Sequence, residues 1–436
     1  MSAAFPRVLF LTPLAFNAIT GTGVTFSNLF AGWPRDALLT VTGDTVPVGR
    51  DVCDRYFFLT PRELDFVFPF NRLYPRQQPC AAGDAPAAAP PRRPSFLVRL
   101  GKRVIADAGI PDKGALSPEL AAAVAAFAPQ VIHTVPGSIG YIGLARALAR
   151  ATGAPLVVHV MDDGVTDPRR RGLFGPYLRR RYGAAFRALL PHAARAVAIC
   201  ELMAEEYGQR FRTPFSHFQN TVDVSTMARF AKQDVAVAAP LRLAYAGSIL
   251  PYAQLESLRD GCRAVKELNE AGFPCRLDIY TPLAYLPTAP ENLAVHPMIA
   301  VHDALPNGPR YFSMLGAADV LFLPVNFDPA SIHFIRLSMP TKVPEYLSSA
   351  TPILVYGPAE VAQVAYAAKA GWGLVVEKRD AGALGAAIRR LASDAALRRR
   401  LSDAALAAAR ENHDAPVVRE AFRDMLRAVA REGKGA

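Results

Sequence analysis

Residues 338–347 read SMPTKVPEYL, and four positions in this stretch have types and spacing suited to a phosphorylated ligand. With Thr341 as N-cap, Lys342, Val343 and Pro344 fill the first turn of a helix, where proline forfeits no helical hydrogen bond. Pro340 lies before the cap and stiffens the entry. The amides of Lys342 and Val343 then point out of the helix start beside a lysine ammonium. Orphan donors, the positive dipole end and a mobile cation together form an anion site. Glu345 follows one turn later. A carboxylate accepts two hydrogen bonds at once, which suits a vicinal diol such as a ribose. Together the stretch fits a nucleoside diphosphate, and equally an N-capped surface helix with an ordinary charged first turn.

Other stretches carry weaker chemistry. HVMDDG (159–164) ends an apolar run, so Asp162 and Asp163 either reach an acceptor hydroxyl or serve a turn and a helix cap. Adjacent carboxylates on a strand end diverge and no third oxygen ligand stands nearby, so no metal site is expected. TGTG (20–23) is not a full GxGxxG and lacks a convincing acidic residue at the end of the next strand, which argues against a dinucleotide site and for a tight strand-to-helix turn. His133 and His159 lie in apolar runs and read as core histidines. Tyr252 reads as a packed surface tyrosine or a base-stacking ring. The five cysteines (53, 80, 200, 262, 275) form no CxxC and no metal-ligand pattern with histidine, so they read as ordinary thiols in a reducing compartment.

The elements that must position these residues are legible as short apolar runs separated by amphipathic stretches. Runs at 7–11, 37–41, 130–135, 155–161 and 196–200 form one set. Runs at 241–247, 276–281, 318–324, 352–357 and 373–377 form a second. Helical patterns lie between them, including 141–151, 255–271 and 382–411. Continuous apolar strands alternating with helices predict parallel sheets covered on both faces, hence an α/β fold of two doubly wound domains. The 436 residues fit two domains, 1–235 and 236–436, with an Ala/Pro-rich surface insertion at 76–95. A ligand is expected at the carboxyl ends of the strands, in a cleft between the domains.

The charge balance is 49 − 38 = +11, which favours an anionic partner. Part of it is concentrated in 167–190, where Arg169–Arg171 and Arg179–Arg181 are interleaved with Leu173, Phe174, Tyr177 and Leu178. That mix fits an anionic membrane surface or a solvated basic face. No base-reading motif accompanies it, so nucleic acid is not expected. The N-terminus lacks the pattern of a signal peptide. Residues 120–145 carry no charge, but Pro129, Pro136, Gly137 and Ser138 break them into separate elements rather than a membrane span. A cytoplasmic protein, soluble or peripheral on the inner membrane face, is expected.

ADVLFLP (318–324), SMPTKVPEYLSSATPILVYGP (338–358) and GLVVEKRD (373–380) resemble the C-terminal domain of retaining GT-B glycosyltransferases of the large sucrose-synthase-like family, family four. LRLAYAGSI (241–249) is similar to that family's Gly-containing phosphate loop, and 198–227 to its domain-crossing segment. RVLFLTPLAFNAITGTGVTFSNLF (7–30) supplies the N-terminal strand, Gly-rich loop and helix. The resemblance spans most of the chain through the order of its motifs. It implies two Rossmann-like domains facing a cleft, transfer of a sugar from a nucleotide sugar to a saccharide or lipid-linked acceptor in cell-surface glycan synthesis, and no cofactor. It further implies that Glu345 holds the ribose, that Thr341, Lys342 and Val343 meet the diphosphate, and that Gly247 and Ser248 form the second phosphate-side loop. Gly21 and Gly23 would then face the donor, Asp162 and Asp163 the acceptor, with Asp162 and Lys342 as the catalytic candidates. The chain departs from the family's pattern at Leu337, which replaces the first glutamate of its paired motif, and at Ser248 and Gln254, where the family often has Arg and Lys. A nucleotide-sugar 2-epimerase and a catalytically silent binding subunit are the alternative readings.

Overall fold

The computed structural model of the protein describes residues 5–73, 111–165, 175–284 and 289–433. The 76–95 insertion lies outside these residues, as do 166–174 of the basic stretch.

The chain forms two compact units, Met1–Asn220 with Val418–Ala436, and Thr221–Val417. In the first, strands β1 (Val8–Thr12), β2 (Leu38–Thr42), β3 (Arg55–Phe58), β6 (Val131–Thr134), β7 (Leu156–Val160), β8 (Ala193–Ala198) and β9 (Phe215–His217) make one parallel sheet ordered β3-β2-β1-β6-β7-β8-β9. Strands β4 (Leu64–Phe66) and β5 (Asp112–Gly114) pair antiparallel beside it. Every residue of β1, β2, β6 and β7 is buried, as expected of strands covered on both faces. The helix Gly21–Leu29 lays Phe26 on Phe10 at 4.8 Å between ring centroids.

The second unit holds β10 (Leu241–Ala246), β11 (Cys275–Thr281), β12 (Ile299–Asp303), β13 (Val320–Pro324), β14 (Ile353–Tyr356) and β15 (Gly373–Val376), all parallel in the order β12-β11-β10-β13-β14-β15. Alternation along β10 decides what each face meets. Leu243 and Tyr245 join Leu277, Val320 and Leu354 under the helix Leu255–Glu270. Ala244 and Ala246 face the other way, toward Tyr346 and Leu347 of the helix Val343–Ser348. Small residues on that side let the helix approach closely enough for a side chain to reach the strand backbone.

The observed division differs from the expected one at both ends of the second half. The chain passes between units at 220/221 rather than 235/236, and Val418–Ala436 groups with the first unit. The reason is apolar. Val418, Phe422, Leu426 and Val429 of the helix Ala415–Glu432 are buried in the first unit's core, where Phe422 meets Phe30 at 5.1 Å and His133 at 5.7 Å. The pattern read as one helix over 382–411 is two, Ala381–Ser393 and Ala395–Asn412. They are separated by Asp394, whose carboxylate caps the second through the Leu397 amide at 2.8 Å.

Candidate functional site

β10 ends at Ala246, and the next two residues turn across the start of the helix Val343–Ser348. Gly247 takes φ +139°, open to glycine and strained for other residues, and its amide donates to the Tyr280 carbonyl at 2.9 Å. A Cβ there would lie 2.9 Å from Lys342 Nζ. Glycine thus serves both the turn and the space the lysine occupies. Two tyrosines fasten the corner. Tyr346 accepts from the Ala246 amide at 2.8 Å and donates to the Ala246 carbonyl at 3.2 Å; Tyr245 donates to the Ser248 carbonyl at 2.7 Å.

The helix does not begin as the sequence suggested. Lys342, not Thr341, is the N-cap residue; it has helical backbone angles and no side chain caps the helix. The Val343 amide is spent on the Pro340 carbonyl at 3.2 Å, which closes a turn where an extended N-cap was expected. A row of free amides at this six-residue helix is therefore not what the site offers.

What it offers is Lys342 itself. Its stem is partly exposed, but Nζ is buried and makes no hydrogen bond. The ammonium sits 4.0 Å from the Tyr245 ring centroid, close enough for a cation–π contact. Burial pushes its pKa down to about 7, against the through-space attraction of Glu345. Glu345, on the same short helix, is pushed up to about 7 by burial, opposed by a hydrogen bond from Tyr311 and by Lys342. Tyr311 Oη donates to Glu345 Oε2 at 2.8 Å. The structure thus brings Gly247, Ser248, Lys342 and Glu345 together, with Ser248 exposed at the rim. Leu337 is buried and offers a ligand nothing polar from its side chain.

Sequence reading missed the three tyrosines that hold this corner. Tyr245 was visible only as a strand residue before Gly247, Tyr346 as an aromatic after Glu345, and Tyr311 only as one ring of an amphipathic helix.

The remaining candidates lie in the first unit. Thr20 caps the helix Gly21–Leu29 by accepting from the Gly23 amide at 3.1 Å, and Gly21 opens the helix exposed. Gly23 has a packing reason: a Cβ would come within 2.5 Å of Asn17 Cγ. Asn17 Oδ1 in turn accepts from the Ile19 and Thr20 amides at 2.9 and 2.7 Å and fixes the loop. Asp162 is exposed at the end of β7. Asp163 is already engaged. Its side chain is 8% exposed, accepts from Tyr207 Oη at 2.7 Å and from Arg210 at 3.2 Å, and so ties β7 to the helix Glu201–Phe211. That occupation is the physical argument against an acceptor role for Asp163. His133 and His159 are fully buried, 3.3 Å apart between Nε2 and Nδ1, and ringed by Phe10, Phe26 and Phe30; burial holds both in the neutral form, His159 down to about 3. Tyr252 is half-exposed and packs edge-on against Phe334 at 4.8 Å. Cys53, Cys200, Cys262 and Cys275 are buried free thiols. Among the described residues no three His, Cys, Asp or Glu side chains gather as a metal site, and no helix is long and apolar enough to cross a membrane.

Comparison with known proteins adds the family context. Residues 21–216 match the model of the glycosyl transferase 4-like domain. No curated protein sequence matches the chain. Solved structures share the whole fold at low identity. Sucrose-phosphate synthase from Thermosynechococcus elongatus superposes with a TM-score of 0.62 at 14% identity, covering 98% of this chain and 100% of its own. The α,α-trehalose 6-phosphate synthase from Burkholderia multivorans gives 0.61 at 14% identity, with 99% and 98% covered. The Anabaena protein HepE in complex with UDP-glucose gives 0.56 at 12% identity, with 97% and 99% covered. The fold is GT-B, two Rossmann-like α/β units, and the glycosyl transferase 4-like match over residues 21–216 supports a glycosyltransferase enzyme.

Proposed function

We propose that this GT-B glycosyltransferase moves a sugar, with retention, from a nucleoside diphosphate sugar to a saccharide or lipid-linked acceptor in cell-surface glycan synthesis. The observation that carries the donor half is the Lys342 ammonium, buried without a hydrogen bond against a glycine whose missing side chain leaves it room. A buried cation lacking a partner is costly unless an anion completes it. A diphosphate does so, and the same charge neutralises the leaving group as the glycosidic bond breaks. Glu345, one turn along, accepts the ribose hydroxyls. Ser248 and the Gly247 turn border the phosphates. Thr341 and Val343 contribute the turn that aims Lys342 rather than a row of amides. In this reading no side chain acts as nucleophile and the reaction needs no cofactor.

HepE was solved with UDP-glucose, which makes UDP-glucose the first donor to test here. Turnover of a panel of nucleotide sugars with an acceptor extract tests the activity. Glu345→Ala tests the site: losing charged hydrogen bonds to the ribose weakens nucleotide binding by about 1.5–3 kcal/mol while the fold survives. Unchanged affinity in that variant removes Glu345 from the site. Activity should persist in excess chelator. Loss of turnover that Mg²⁺ or Mn²⁺ restores would move the phosphate chemistry from Lys342 to a metal site centred on Asp162.

Lipid contact is the outer part of the proposal. The helix Gly175–Leu189 turns Tyr177, Arg180, Arg181 and Arg187 outward, with Arg181 5.9 Å over the Tyr177 ring. Leu178, expected to dip toward lipid, faces the core with Tyr182 and Phe186, so Tyr177 is the described aromatic available on that face. Arg169–Arg171, Leu173 and Phe174 lie outside the described residues. Binding to anionic vesicles should fall as salt rises and weaken when Arg179, Arg180 and Arg181 become Gln.

A further inference from the structure

We propose that Tyr311 is the positioning residue that presents Glu345 to the donor ribose, an inference that rests on the nucleotide reading of Glu345. Tyr311 lies on the helix Pro309–Ala317, 34 residues from Glu345 in sequence, and its hydroxyl donates to Glu345 Oε2 at 2.8 Å. It is the one hydrogen bond that the Glu345 carboxylate makes among the described residues. One oxygen is thereby anchored, and Oε1 is left to a ligand.

The arrangement answers a problem posed by Glu345. Its carboxylate stands in surroundings apolar enough to favour protonation, on a side chain with three rotatable bonds. Freezing such a side chain costs on the order of 1 kcal/mol or more. A donor fixed before the ligand arrives removes that cost from binding and favours the ionised form that accepts from a diol. Tyr311 is suited to this because its ring is held independently of its hydroxyl. It is 9% exposed, packs in the core with Leu315, Val343 and Tyr346, and lies 5.8 Å from the Phe312 ring. Tyr311→Phe therefore deletes the hydrogen bond and keeps the packing. The charged and titratable groups around Glu345 are Lys342 on its own helix turn, Tyr311 from the neighbouring helix, and Tyr346, with Tyr245 close to Tyr311.

The test is calorimetric titration of UDP, ADP and GDP into the full chain, the tightest being carried through wild type, Tyr311→Phe, Glu345→Ala and the double variant. Thermal melts confirm that each is folded. The expected result is about tenfold weaker binding for Tyr311→Phe, a loss at least as large for Glu345→Ala, and no further loss in the double variant. The acid limb of the binding profile should also move to higher pH in Tyr311→Phe, because the deleted bond favours the carboxylate. Wild-type affinity in Tyr311→Phe beside a weakened Glu345→Ala overturns this inference alone. So does a double variant that loses the product of both single effects, since Tyr311 would then act independently of Glu345. Unchanged binding in Glu345→Ala, or no binding of any nucleotide to the wild type, overturns the nucleotide reading beneath it.

Discussion

For Lys342, burial of Nζ is costly to the fold. Its Nζ has left water for the face of Tyr245 without gaining a hydrogen bond, and burial has pushed its pKa from 10.5 to about 7. Between these values the unfolded chain holds a proton that the folded one lacks. This group's contribution to stability therefore rises with pH from about 7 to about 10.5 and is least below 7. Lys342→Met keeps the stem's volume and removes the buried charge. The variant should melt a few degrees higher than wild type near neutral pH, with a smaller rise between pH 7 and 10, while losing nucleoside diphosphate binding. A variant that melts lower would show that Lys342 supports the fold rather than waits for a ligand. The same titration predicts weaker diphosphate binding as pH rises above 7, because an increasing share of the free protein carries a neutral amine that must be protonated to meet the anion. Gly247→Ala is expected to lose binding too, through strain at φ +139° and the 2.9 Å approach to Nζ.

At the scale of elements, what was legible in the sequence was what burial writes there. All ten apolar runs became strands, because parallel strands covered on both faces demand continuous apolar residues. β3, β4, β5, β9 and β12 were missed. Each is an edge strand, much of it partly or fully exposed; β4, β5 and β9 carry no such run, and those of β3 (Tyr56–Phe58) and β12 (Ile299–Val301) are short. Lys342, Glu345 and Gly247 were legible as a constellation. Their supports were not, because Tyr311 and Tyr346 make their hydrogen bonds to residues 34 and 100 positions away. The cap at Thr341 was misread because Pro340 can close a turn with Val343 as readily as a threonine can cap a helix, and the local sequence does not choose between them. Asp163 looked like a site residue because its partners, Tyr207 and Arg210, lie 44 and 47 residues away. The last helix was assigned to the wrong half because its apolar face fits either core by pattern alone. Its place predicts that Phe422→Ala destabilises the first unit by about 3–5 kcal/mol, since that ring is fully buried against Phe30, His133 and Phe218. A melt in which Phe422→Ala leaves the first unit as stable as wild type would contradict that packing.

For the whole molecule, the net charge of +11 agrees with the anionic donor proposed above. Each unit has its own sheet and core, and the proposed donor site lies in the second: the end of β10, one turn after it, and one short proline-bounded helix. The central claim is that this corner is built around a diphosphate, with Lys342 as its cation. The measurement that tests it most directly compares calorimetric affinities for a nucleoside diphosphate and the matching monophosphate, in wild type and in Lys342→Met. A preference of at least tenfold for the diphosphate is expected in wild type, and none in Lys342→Met. Equal diphosphate affinity in the two proteins would contradict it.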